Sequence, residues 1–196
     1  MKTLKLFVAA ILCAATFTAC SGNQTKNSEN TETAPVAVKT TNVDDILANG
    51  EKFAGKEVVI EGVCSHRCKH GGGKMFVMGN DNSNIIRIES SKESGKFPAE
   101  VTNALVQVKG TVAEERIDEA YLQNWESKLG EETKQHGESE AGCSTEKAAR
   151  KESATTKTTK ERISDYRKRI AERNEKEGKP YLSFYHINAV SYEILN

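Results

Sequence analysis

The chain is 196 residues long and 37% apolar, and its 28 lysines and arginines balance 28 aspartates and glutamates. That balance excludes the basic footprint with which a protein binds nucleic acid by charge. Beyond the first 20 or so residues no apolar run is long enough to span a bilayer.

The chain opens on a leader. Lys2 and Lys5 form a basic region, Leu6 to Ala15 an apolar core, and Phe17-Thr18-Ala19-Cys20 follows. The core is too short for a membrane span and has the order of an export signal. With small residues before Cys20 and Ser21-Gly22 after it, the leader resembles the lipobox of bacterial lipoproteins, although Phe17 stands where an aliphatic residue is usual. The resemblance implies a signal peptide over residues 1–19, cleavage before Cys20, and lipidation there, with diacylglycerol on the sulfur and a fatty acyl chain such as palmitate on the amine. It places the protein in the cell envelope, held by lipid in the outer membrane and facing the periplasm or the exterior. Without Lys2 and Lys5 the chain carries 26 basic against 28 acidic residues.

Residues 20–42 then read as the lipidated cysteine and a disordered tether, because Asn, Thr, Ser, Lys and Glu with Pro35 offer almost nothing to bury. The folded domain is expected over residues 43–196. Val43, Ile46, Leu47 and Phe53 give a short helix at its entrance. Three strands follow, at Lys56–Cys68 with a bend at Gly62, at Lys74–Met78, and at Asn84–Glu89, the last two separated by Gly79-Asn80-Asp81-Asn82-Ser83. Phe97 to Ala104 reads as a short helix, Leu105–Val112 as a fourth strand, and Tyr181–Leu195, rich in aromatic and β-branched residues, as a fifth.

Strand, strand, strand, short helix, strand, strand is the order of an OB-fold, a five-stranded Greek-key barrel. The resemblance is carried by Lys56-Glu-Val58-Val59-Ile60-Glu-Gly62 and Val106-Gln-Val108-Lys-Gly110-Thr-Val112. In detail the chain is similar to small exported bacterial OB-fold proteins in which a Cys-Lys-His-Gly-like turn follows the first strand, a group that supplies a fold and no activity. The expected class is mainly β with a helical insertion, over about residues 115–179, between strands 4 and 5. Ile117, Tyr121, Trp125 and Leu129 stripe one helix. Thr158 and Glu161 form a capping box for a second, with Ile163, Tyr166 and Ile170 as its stripe and Gly178 and Pro180 as its stop. The two stripes are expected to pack as an antiparallel hairpin. Between them the charged Glu131–Thr156 stretch, holding His136 and Cys143, reads as a mobile linker with a helical stretch at Glu146 to Lys151.

The chemistry concentrates at Cys64-Ser-His66-Arg-Cys68-Lys-His70, followed by Gly71-Gly72-Gly73. On a straight strand the alternating Cys64, His66, Cys68 and His70 form one row, but four-apart Cα atoms sit about 13 Å apart, too far for one metal or for a disulfide. Either the strand bends or a distant residue completes the site. Thiolate and imidazole suit Zn(II) or Cu(I), with His66, Cys68 and His70 as first choices and Cys64 or Cys143 completing the set. A disulfide from Cys68 or Cys64 to Cys143, and an inert row, stay open as alternatives.

Other readings are weaker. Cys-x-x-x-Cys on a strand lacks the helix-start geometry of thiol-redox enzymes. The haem chaperones of cytochrome c maturation are exported OB-folds that carry haem on a histidine, but His186 here lies inside the last strand. Gly73-Lys74 lacks the spacing of a phosphate loop, and Asp81 that of a calcium loop. Oligonucleotide binding would need more than Phe76, Lys74 and Arg87. Tyr181, Tyr185 and Tyr192 could present a platform to a glycan, and the Trp125 stripe a surface to an envelope protein. No catalytic constellation is located.

Overall fold

The computed structural model describes residues 39–68, 71–136, 143–153 and 158–195. The leader, Cys20, most of the tether, and His70 lie outside the described residues.

Five strands, β1 (Glu57–Arg67), β2 (Lys74–Met78), β3 (Ile85–Glu89), β4 (Leu105–Ile117) and β5 (Leu182–Leu195), close into a barrel in the order β1-β2-β3-β5-β4. β1 serves two neighbours. Its first half, Glu57–Val63, runs antiparallel to Thr111–Leu105 of β4, and its second half, from Cys64, pairs with β2. Gly62 sits at this handover because a Cβ there would lie 2.5 Å from the Met78 carbonyl oxygen and 2.7 Å from Val77 Cγ1. The barrel closes through β5, which is antiparallel to β4 from Leu105↔Leu195 to Ile117↔Leu182 and parallel to β3 at Arg87↔His186 to Glu89↔Asn188. A five-stranded closed barrel with this strand order is the OB-fold.

Alternation on β-branched strands fills the barrel. Val58, Ile60, Met75, Val77, Ile86, Ile88, Val106, Val108 and Ile187 are all buried, and Phe97 and Val101, on the loop and 3-10 turn (Ala99–Val101) between β3 and β4, join the same core. At the entrance the expected single helix is two, α1 (Val43–Ala48) and α2 (Gly50–Phe53), broken at Asn49. Asn42 caps α1, its Oδ1 accepting from the Asp44 amide at 2.8 Å. The Asp44 carboxylate in turn accepts from the Asn80 amide and the Asn84 side chain, both at 2.9 Å, which ties the entrance to the β2–β3 turn.

The insertion begins later than expected. β4 continues to Ile117, so that residue ends a strand rather than starting a helical stripe. Asp118 then accepts the Tyr121 amide at 2.9 Å and starts α3 (Glu119–His136). This start turns Leu122 inward and leaves Tyr121 39% exposed. α4 (Ser144–Ala149) and α5 (Thr159–Glu177) follow, the latter opened by the Thr158–Glu161 capping box. A second core of Ile117, Leu122, Ile163, Tyr166 and Leu182, with Trp125 and Phe184 against it, joins the two long helices to the extended ends of β4 and β5. The helical hairpin is therefore rooted in the sheet it interrupts.

Candidate metal centre

The site lies where β1 leaves the barrel. Between Cys64 and His66 the register of β1 against β2 shifts, a bulge that breaks the two-residue alternation. Cys64, in step with the buried Val58 and Ile60 before the bulge, points into the barrel and is fully buried, its Sγ 3.4 Å from the His66 carbonyl oxygen. His66 and Cys68 lie on the partly exposed side. The four-residue row expected from the sequence is thus divided, with Cys64 part of the core.

The Cys68 amide donates to the Lys74 carbonyl at 2.9 Å, which closes the base of the β1–β2 hairpin. Its tight turn uses Gly72 at φ 63, where a Cβ would lie 2.6 Å from the Phe97 carbonyl oxygen. The hairpin thereby fixes Cys68 beside His66, whose ring packs 5.8 Å from that of Phe76.

The third member comes from the insertion. Cys143 is the N-cap of α4 and its Sγ lies 3.2 Å from His66 Nε2. The donor atoms of His66, Cys68 and Cys143 all fall within 4.8 Å of one another. Zn–S and Zn–N bonds of about 2.0 to 2.3 Å in a tetrahedron set donors about 3.3 to 3.8 Å apart, so the Cys143–His66 pair, at 3.2 Å, stands near bonding spacing. Cys64, Cys68 and Cys143 are all free thiols.

What holds Cys143 there is a network of charges. Glu146 Oε1 accepts from Lys74 at 3.3 Å and from Arg87 at 3.1 Å, while Glu115 accepts from Arg87 at 2.8 Å and from Arg150 at 2.9 Å. Just beyond α4, Glu152 accepts from Arg162 Nε at 2.6 Å and from the Tyr166 hydroxyl at 2.5 Å. Residues 143–153, read from sequence as part of a mobile linker, are in fact docked by these pairs, Glu146 and Arg150 on the barrel and Glu152 on α5. The helical stretch expected at Glu146 to Lys151 is α4. Glu146, Glu115 and Arg87 are residues that sequence reasoning missed as site supports, since the pairing of Arg87 with carboxylates 28 and 59 residues away leaves no local signal.

Electrostatics follow from this packing. Burial pushes the Cys68 thiol up, and the neighbouring Cys143 and Glu146 add to it. Burial likewise pushes up Cys64. Burial pushes the Glu146 carboxyl up too, but Lys74, Arg150 and Arg87 outweigh it and hold it below the usual carboxylate range. A cation beside Cys68 would offset the negative surroundings and favour its thiolate.

Fold and donors together define an OB-barrel protein with a dithiol–imidazole cluster assembled between the barrel and its insertion. No family model and no curated protein matches the chain. Among solved structures, aspartyl-tRNA synthetase from Entamoeba histolytica is similar over 55% of this chain and 24% of that one, at 13% identity and a TM-score of 0.33. A protein assigned as an aspartyl-tRNA synthetase in Leishmania major Friedlin is similar over 43% of this chain and 17% of its own, at 18% identity and a TM-score of 0.30. This chain spans a quarter or less of either, and at those values neither likeness bears on function.

Proposed function

We propose that this protein is a non-enzymatic lipoprotein of the bacterial cell envelope that binds a soft metal ion, Zn(II) or Cu(I), through His66, Cys68 and Cys143. The observation that carries the reading is the convergence of two thiols and an imidazole from positions 77 residues apart. Thiolate and imidazole are the donors these ions select. Lipid on Cys20 would hold the barrel at the outer membrane, an expectation that rests on the leader sequence alone.

Elemental analysis of protein purified without added metal or chelator tests the metal. Close to one equivalent of zinc or copper, lost in the His66→Ala and Cys68→Ser variants, is the expected result; substoichiometric metal insensitive to both substitutions would refute it. Moving the Cys20→Ala variant from the membrane to the soluble fraction tests the anchor separately.

The closeness of Cys68 to Cys143 favours one second reading, a reversible disulfide between them. Metal and disulfide exclude each other, because both use the same sulfurs. A thiol count on the protein as purified, unfolded in the presence of chelator, therefore separates them: three reactive thiols support coordination, and one supports the disulfide.

A further inference from the structure

The donors of the cluster straddle a boundary. His66 and Cys68 belong to β1 and its hairpin, whereas Cys143 opens α4, a helix of six residues none of which is fully buried. α4 also lacks a packed seat. A cavity of about 220 Å³ lies between it and the seam of β3 and β5, with Ala148 and Ala149 on one side and Ile85 and Phe184 on the other. Across such a gap the helix forfeits the dispersion contacts that hold a packed element.

The ties of α4 to the barrel described above are ionic, Glu146 with Lys74 and Arg87, and Arg150 with Glu115. Partly buried ion pairs return in attraction little more than they lose in hydration, so they orient α4 without holding it tightly. Beyond the helix, Glu152 is bound by Arg162 and Tyr166 of α5. That anchor leaves α4 able to lift from the end that carries Cys143.

A metal changes this balance. With α4 docked, an ion meets His66, Cys68 and Cys143; with α4 lifted, only His66 and Cys68 of the three remain. A ligand shifts an equilibrium by its difference in affinity for the two states, and here the difference is a whole thiolate bond. We infer that the metal is the clamp that docks α4 on the barrel, so that metal load sets whether the helix covers Ile85 and Phe184 or uncovers them. The inference rests on the metal reading and adds what that site regulates. Zinc entering as the dication bonds to both sulfurs and to the His66 ring, and each thiol releases its proton to solvent.

Hydrogen exchange on the purified full chain, metal-free and loaded with zinc, tests the clamp, with zinc uptake measured on the same samples by competition with a chromophoric chelator. The amides to follow are Arg150 and Glu152, which donate to the Glu146 and Lys147 carbonyls at 3.1 and 2.9 Å and close the helix away from the metal. Zinc should slow both by roughly tenfold or more, within the range of a coupling between two sites, and Cys143→Ser should abolish the gain. Linkage also works in reverse. Arg150→Gln and Lys74→Gln each remove a cation, which by direct attraction would leave zinc binding as tight or tighter; through the clamp, both should weaken it several-fold. Lys74, whose side chain is 37% exposed, decides alone where Arg150→Gln does not fold. Zinc taken up with no slowing at Arg150 and Glu152 would overturn the clamp and leave the metal reading standing, as would undiminished zinc affinity in the folded variants. No zinc taken up would remove the metal reading, and the clamp with it.

Discussion

Cys143 serves α4 twice, its backbone opening the helix and its side chain turning away toward His66. As N-cap it makes no side-chain hydrogen bond to the first turn, whereas serine at an N-cap does so readily. The Cys143→Ser substitution should therefore separate coordination from folding. Metal affinity should fall by more than the 10- to 100-fold typical of losing an outer-shell partner, while the melting temperature of the metal-free protein holds or rises slightly. Competition with a chromophoric chelator and a thermal melt read the two effects. Glu152 is the opposite case, with its side chain 2% exposed and its charge met by Arg162 and Tyr166. Glu152→Gln should cost stability, approaching the roughly 3–5 kcal/mol of a broken buried pair. The contact of Arg162 with the Trp125 ring, 4.8 Å away, moderates the loss. Urea denaturation measures it. Of the residues at the cluster, sequence singled out His66, Cys68 and Cys143, which the fold brings together. Cys64 stands apart from them because it continues the inward row of Val58 and Ile60, whereas the bulge after it turns His66 out of that row.

At the level of elements, the barrel strands were legible because alternation of β-branched residues and Gly-rich turns are local signals. α5 was legible from its capping box. The start of α3 was not, since Ile117, Tyr121 and Trp125 fit a four-residue period that Asp118 interrupts by capping the helix one residue after β4 ends. The docking of α4 was also hidden, because a short charged helix owes its place to partners on β2, β3 and β4 rather than to its own pattern. The second core shows how firmly the insertion is rooted. Leu122 is fully buried between α3, α5 and the ends of β4 and β5. Leu122→Ala should cost about 2–5 kcal/mol, seen as a lower urea midpoint. A smaller loss, under about 1 kcal/mol, would mean that the helical hairpin moves independently of the sheet. Thr158→Ala, which removes one half of the capping box, should cost about 1 kcal/mol in the same measurement.

Over the whole molecule the buried charges set a common dependence on pH. Burial pushes the carboxyls of Glu115, Glu146 and Glu152 up, and neighbouring cations and hydrogen bonds more than reverse this, leaving each below the ordinary 4.5. The unfolded chain takes up those protons first, so the stability they contribute is complete above pH 4.5 and is lost as pH falls through the lowered folded values. His186 is held below the ordinary 6.5 by burial and then by Arg87. An unfolded histidine protonates where the folded one resists, which again removes stability as pH falls, now starting below 6.5. Stability should thus be highest above pH 6.5 and decline in two stages on acidification. Urea midpoints at pH 7.5, 5.5 and 4 check this, and His186→Gln should flatten the first stage. A midpoint that rises between pH 7.5 and 5.5 would contradict the account.

β5 is the keystone of this architecture. It pairs with β3 on one side and β4 on the other, so until residues 182–195 are in place the remaining strands form an open sheet with two bare margins. The hairpin helices meet their floor, Leu182 and Phe184, on the same strand. Cutting the polypeptide within β5 should therefore unzip the cylinder and release the helical arm together, and leave sticky borders that invite clumping.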